Sequence, residues 1–273
     1  MSERLADQTA VITGSSSGIG AAIAKRFAEE GANVVTNSRS LERAEKTAEE
    51  ITDADGTATA IEADVSDPED AEYLIEAAVD AYGSLDIMVN NAGISVVEPA
   101  MEIDPDDWQS VIDTNLSGVF YGAQAAGREM IDQGTGGQIV NVSSMFGSVG
   151  VQGRAPYNAS KGGVDNLTRC LAVELGEHDI CVNALAPGYI ETELTAETSQ
   201  SDDRGTVLGA DEWPYSGYDD THIENRTPVG RFGTLEEVGT VALFLAAGDH
   251  YTTGEVLTAD GGWSAFGWGS KGV

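Results

Sequence analysis

The chain has 273 residues, 41% of them apolar, enough to bury a sizeable core without disulfides, and too evenly mixed to stay unfolded along its length. Fourteen Lys and Arg against 46 Asp and Glu give a net charge of −32, which excludes a general nucleic-acid binder and disfavours an anionic membrane surface. No apolar run approaches the roughly 18 residues of a membrane span, Met1-Ser2-Glu3-Arg4 carries no signal-peptide pattern, and Cys170 and Cys181 fit neither a disulfide framework nor a metal spacing, so they read as free thiols in a reducing cytoplasm.

Short β-rich runs alternate with helical stretches. Residues 9–13 read as a strand, residues 14–20 as a turn, and a helix starts at about Ile19, with Ile23 and Phe27 on the same face and Gly31 just past its end. Strands follow at 33–37 and 57–62, separated by a charged helix over 41–51, and Pro68 opens the next helix. A buried strand is expected at 87–90, then one long helix from Pro105 to about Ile131, and a strand at 138–142. The spacing predicts a helix over 157–176, a strand over 181–186, a helix over 234–247 and a last strand over 256–259. This alternation implies an α/β fold with a parallel sheet covered on both faces, and right-handed crossovers make it a doubly wound, Rossmann-like sheet. No repeat or linker divides the chain, so residues 1–273 read as one domain. The polar, weakly periodic stretch at about 193–226, containing Trp213, Tyr215 and Tyr218, reads as a lid over a substrate.

The acidic excess is spread along the chain, and only four lysines occur: Lys25, Lys46, Lys161 and Lys271. Self-repulsion on that scale strains a compact fold in dilute buffer and is screened in concentrated salt, so the surface reads as halophilic.

The turn Gly14-Ser15-Ser16-Ser17-Gly18-Ile19-Gly20 follows the first strand and opens a helix. Glycines there permit a tight turn and close approach of backbone to a pyrophosphate, and the helix N-terminus offers free N–H groups to an anion. Ser16 and Ser17 can cap the helix or donate to phosphate. The end of the second strand, Thr36-Asn37-Ser38-Arg39-Ser40, lacks the carboxylate that would hold a ribose 2′-hydroxyl of NAD. Arg39 can instead pair with a 2′-phosphate, so NADP(H) is favoured, with NAD(H) as the alternative.

Tyr157 and Lys161 are one helical turn apart and share a face. A phenol can move a proton to or from a reacting oxygen if a neighbouring ammonium lowers its pKa. Ser144 stands thirteen residues before Tyr157 and can hold a substrate oxygen.

With these residues the chain resembles the short-chain dehydrogenase/reductase family, from Thr9 to about Gly262. The resemblance rests on the turn at 13–20, Asp64-Val65, Asn90-Asn91-Ala92-Gly93, Asn115, Ser144, Tyr157-Asn158-Ala159-Ser160-Lys161 and Pro187-Gly188-Tyr189-Ile190-Glu191-Thr192. It implies a seven-stranded doubly wound sheet, hydride transfer with NAD or NADP, and a homotetramer. It also assigns roles: Tyr157 as general acid/base, Lys161 as the group that lowers its pKa and bonds the nicotinamide ribose, Ser144 on the substrate oxygen, and Asn115 anchoring a proton-relaying water. Asp64 and Val65 border the adenine, Asn91, Ala92 and Gly93 the cofactor ribose, and Pro187, Gly188, Ile190 and Thr192 the carboxamide. Many NADP-preferring members carry a basic residue where this chain has Ser17, which leaves Arg39 nearly alone on the 2′-phosphate.

The expected substrate is a secondary alcohol or ketone, on a polyol, sugar or sugar acid, the run Arg226-Thr227-Pro228-Val229-Gly230-Arg231 and the ending Ala259-Asp260-Gly261-Gly262-Trp263 being similar to such members. Reductases of 3-oxoacyl thioesters share most of these features and are the alternative; a dinucleotide-binding regulator without turnover is the reading from another class. Arg154, three residues before Tyr157, is a candidate for a sugar-acid carboxylate, against the plainer reading of a structural ion pair. No nucleic-acid or membrane partner and no metal is expected.

Overall fold

The computed structural model describes residues 3–191 and 220–266. In chain order the elements are β1 (Thr9–Ile12), α1 (Gly18–Glu29), β2 (Asn33–Ser38), α2 (Leu41–Thr52), β3 (Thr57–Glu62), α3 (Pro68–Tyr82) and β4 (Ile87–Asn90). They continue with α4 (Pro105–Ile112), α5 (Gly118–Gln133), β5 (Gly137–Val142), α6 (Ala155–Leu175), β6 (Ile180–Pro187), α7 (Asp220–Arg226), α8 (Leu235–Ala246) and β7 (Val256–Ala259). The seven strands form one parallel sheet in the order β3-β2-β1-β4-β5-β6-β7.

The central strands β1 and β4 are apolar at nearly every position and fully buried, because helices cover both faces. Alternate side chains serve opposite layers. Ala10, Ile12, Ile87 and Val89 join Ile23 and Phe27 of α1 and Leu243 of α8. Val11 and Met88 join Leu74 and Ile75 of α3, Met130 of α5 and Leu171 of α6. The strand order reverses between β2 and β4, which both pair with β1, and this opens a crevice at the carboxyl ends of the strands.

The single helix expected from Pro105 to about Ile131 is divided. Between α4 and α5 the backbone makes a π-helical turn, Asp113–Ser117. The extra residue turns the fully buried Asn115 toward the loop after β4, where its Oδ1 accepts from Ile94 N–H and its Nδ2 donates to Ile94 C=O, both at 2.8 Å. α6 starts two residues before the expected Tyr157, at Ala155, with Pro156 in its first turn. Most of the stretch read as a lid, with Trp213, Tyr215 and Tyr218, lies outside the described residues, as does Thr192; the described end of that stretch forms α7. Among the described residues no helix is long and apolar enough to cross a membrane.

Candidate active site

A groove of about 1100 Å³ runs across the carboxyl ends of β1, β2 and β4. Its floor is the glycine turn: Gly14 and residues Ser16 to Gly20 line it. Gly14 holds φ +61°, and a Cβ there would stand 2.8 Å from Ala92 Cα. A Cβ at Gly20 would overlap Asn91 Nδ2 and Gly14 O, so both positions exclude a side chain. Ser17 occupies the N-cap of α1 but makes no side-chain capping bond, and the first intrahelical bond runs from Ala21 N–H to Ser17 C=O. The N–H groups of Gly18, Ile19 and Gly20 therefore have no partner within the helix and face the groove, the arrangement that takes a pyrophosphate.

Farther along, the wall contains Arg39, then Asp64 and Val65, then Asn91, Ala92 and Gly93, and finally Tyr157. Asn91 is fixed by donating to Thr13 C=O and Gly14 C=O at 2.9 and 3.1 Å. Asp64 Oδ1 accepts from the N–H and hydroxyl of Ser66, leaving its second oxygen toward the groove side. The sequence reading missed Arg43. It lies in the first turn of α2 and lines the same wall as Arg39; a second arginine close after the end of β2 was the signal available. A dinucleotide fits this site by its volume, its glycine floor and its free donors.

At the inner end, β5 delivers Ser144 just past its last residue and α6 delivers Tyr157 and Lys161. Ser144 is buried; its Oγ accepts from Phe146 N–H at 3.2 Å, and its hydroxyl acts on Tyr157 to lower the phenol's pKa. Lys161 is 3% exposed, donates to Val142 C=O at 2.7 Å, and stands 5.7 Å from the centre of the Tyr157 ring. Asn115 donates to Ser160 Oγ at 3.2 Å, and a Cβ at Gly93 would lie 3.3 Å from Asn115 Oδ1 and 3.7 Å from Lys161 Nζ. Asn115, Ser144 and Lys161 thus gather behind Tyr157, which lines the groove. Ser143 does not join them: its hydroxyl goes to Asp165 beneath α6.

Burial pushes the Tyr157 phenol above its ordinary value, opposed by the hydroxyl of Ser144 and by the charge of Arg154. The Lys161 ammonium is itself desolvated and donates to Val142 C=O. Burial holds the Lys161 pKa down to about 8, against the opposing charge of Asp165.

Arg154 caps the start of α6, and its Nη1 donates to Ser95 Oγ at 3.0 Å; among the described residues no carboxylate pairs with it. The structural ion pair considered for it is absent there. Pro187 ends β6, and Gly188 and Ile190 follow it. Gly188 N–H donates to Ala259 C=O at 2.9 Å, and a Cβ on it would stand 2.6 Å from Asp260 Cα. These three residues are not part of the large groove's wall; Tyr189 beside them sits among Phe146, Phe232 and Trp263, with ring centres 5.0 to 6.2 Å apart. Buried Met145 and Ile223 of α7 complete this aromatic cluster next to Ser144, which the sequence reading did not assemble because its members come from five separate segments.

Residues 8–203 match the family model described as short chain dehydrogenase. The chain is 40% identical over 268 residues to 3beta-hydroxysteroid dehydrogenase 1 of Eggerthella lenta, covering 97% of each. It is 39% identical over 260 residues to the 3-oxoacyl-(acyl-carrier-protein) reductase FabG of Thermotoga maritima, covering 95% of this chain and 98% of that one. A crystal structure of a gluconate 5-dehydrogenase from Burkholderia cenocepacia in complex with NADP and tartrate superposes with a TM-score of 0.85 at 35% identity, over 97% of this chain and 98% of that one.

Proposed function

The chain belongs to the short-chain dehydrogenase family of oxidoreductases, whose fold binds NAD or NADP, and on that premise we propose that it interconverts a secondary alcohol and a ketone on a polyol, sugar or sugar acid. The observation that carries this reading is the gathering of Ser144 and Lys161 around Tyr157, which lines a dinucleotide-sized groove.

The cofactor, when bound, supplies the hydride for reduction or accepts it in oxidation. Ser144 Oγ accepts from Phe146 N–H, and its hydroxyl, which acts on Tyr157, is placed to turn to the substrate oxygen when substrate is present. Tyr157, held above its ordinary pKa, begins protonated and gives its proton to that oxygen in reduction; in oxidation it takes the proton back. Stabilising the phenolate favours the second direction, and Arg154 and the hydroxyl of Ser144 are what this chain brings to it. Asn115 fixes the π-helical turn beside Lys161, where the proton relay reaches the ammonium.

Arg39 and Arg43 on one wall favour NADP(H) over NAD(H). Arg154, donating to a hydroxyl and free of a described carboxylate, can accept an anionic substrate group, which favours a sugar acid; the neighbour that holds NADP and tartrate points the same way. Half-exposed Trp108 and Phe120 and strongly exposed Val173 leave apolar surface on α4, α5 and α6 for a homotetramer. The lysine-poor, acidic surface suits cytoplasm rich in salt.

A second reading, reduction of a 3-oxoacyl thioester, is favoured by the relative of that activity. The test follows nicotinamide absorbance in molar KCl with polyols, sugars, sugar acids and a 3-oxoacyl thioester. The proposal expects turnover with a sugar acid at lower KM than with its neutral counterpart. Turnover on the thioester alone would establish the second reading, and silence on all of them with NADPH bound would make the chain a dinucleotide-binding regulator.

A further inference from the structure

Tyr157, Lys161 and Asp165 recur every fourth residue, so they form one stripe down the inner face of α6. Tyr157 lines the groove, and Lys161 lies buried behind it. Asp165 continues the stripe below them and is buried, at 7% exposed. A carboxylate in that position costs stability unless it is partnered, and its surroundings are built to receive one. Ser143 donates a short hydrogen bond to Asp165 Oδ1. Gly147, in the tight turn after Ser144, closes over the other oxygen: a Cβ there would stand 2.6 Å from Asp165 Oδ2. Asp165 shares this face with Lys161, one helical turn away, without a direct ion pair between them.

We propose that Asp165 is the positioning counter-charge of Lys161, keeping its buried ammonium protonated and in register with Tyr157. The inference rests on the acid–base reading of Tyr157. It accounts for three features that reading leaves without a purpose: a buried carboxylate, a serine next to Ser144 turned away from the groove, and a glycine at 147.

The charges around the pair can be stated in full for the described residues. Asp165 is the charged side chain that acts on Lys161, and it raises the lysine's proton affinity against burial. The carboxylate itself is pushed up by burial and pulled down by Ser143, Arg169 and Lys161, in that order. Arg169 spends one donor on Asp165 C=O at 3.0 Å. From β5 the partner of Lys161 is the neutral Val142 C=O, and from the π-helical turn its neighbour is the neutral Asn115. No second anion in the described structure takes over if Asp165 is neutralised.

The chain's four lysines make a direct measurement practical. Isotope-labelled lysine NMR of the folded, full-length protein, with Lys161→Met for assignment, reads the titration midpoint of Lys161. The proposal expects Asp165→Asn to lower that midpoint by about one pH unit, roughly a tenfold loss of proton affinity, and to move the alkaline limb of kcat/KM down with it. Ser143→Ala, which removes the bond that favours the charged carboxylate, is expected to move the midpoint the same way by less, and serves if Asp165→Asn does not fold. A midpoint unchanged in a folded variant overturns the proposal, whatever happens to thermal stability. A Tyr157→Phe enzyme that still turned over would contradict the acid–base reading, while the lysine titration would still judge Asp165.

Discussion

Tyr157 receives help from several weak sources. Ser144 and Arg154 lower its pKa and burial raises it, while Lys161 stands 5.7 Å from the ring centre. A chain with 14 cations has placed three of them, Arg154, Lys161 and Arg169, within sixteen residues of one helix and its cap, where each acts on a phenol, a carboxylate or a substrate. Arg39 and Arg43 are spent in the same economical way on the far wall of the groove. Each guanidinium that pairs with a phosphate contributes about 1.5–3 kcal/mol through charge-assisted hydrogen bonds. Arg39→Ala is therefore expected to raise KM for NADPH about tenfold or more and leave KM for NADH nearly unchanged, with Arg43→Ala showing a smaller effect of the same kind. Steady-state kinetics with both cofactors check this, and equal changes for the two would remove the phosphate assignment.

Among the elements, those with a clean period were legible. The apolar runs of β1 and β4, the Pro68 start of α3 and the stripe of α6 need only side-chain spacing and known helix caps. The π-helical turn at Asn115 was not legible, because residues 105–131 keep a helical pattern on both sides of it and the deviation arises from a tertiary contact, the paired bonds of Asn115 with Ile94. The aromatic cluster around Tyr189 escaped for a similar reason: no local period links Phe146, Tyr189, Phe232 and Trp263. Tyr157 and Lys161 were legible through their spacing, whereas the direction of the Tyr157 shift was not, since it depends on how much water reaches the hydroxyl. α4 is short and carries the π-helical turn at its end, so its start matters. Asp104 caps it by accepting from Asp106 N–H at 2.8 Å, and Pro105 follows. Asp104→Ala is expected to cost about 1 kcal/mol, a fall of roughly 2–4 °C in Tm for a chain of this size, measurable by thermal melts in fixed salt; an unchanged Tm would show that packing alone holds the helix.

At the scale of the whole molecule, charge dominates. If every one of the 14 cations were paired, 32 carboxylates would still face one another. The described ion pairs, such as Arg4–Asp249 at 2.9 Å and Arg128–Glu72 at 2.8 Å, are exposed and each contributes little. Cations from solution are then the main relief of self-repulsion, since the screening length falls to about 3 Å at 1 M salt. Tm is expected to rise steadily from dilute buffer to molar KCl, and a flat or falling series would contradict the halophilic reading. The groove, the aromatic cluster and the buried stripe of α6 serve one end, which is to bring a phenol, its hydroxyl partner and a buried ammonium to a single point beside a dinucleotide. The most direct measurement of that claim compares Tyr157→Phe with the parent enzyme in molar KCl, reading turnover on the best substrate together with NADPH binding. The account predicts that turnover is lost to background while the dissociation constant for NADPH stays within about threefold; appreciable turnover in the variant with NADPH bound would contradict it.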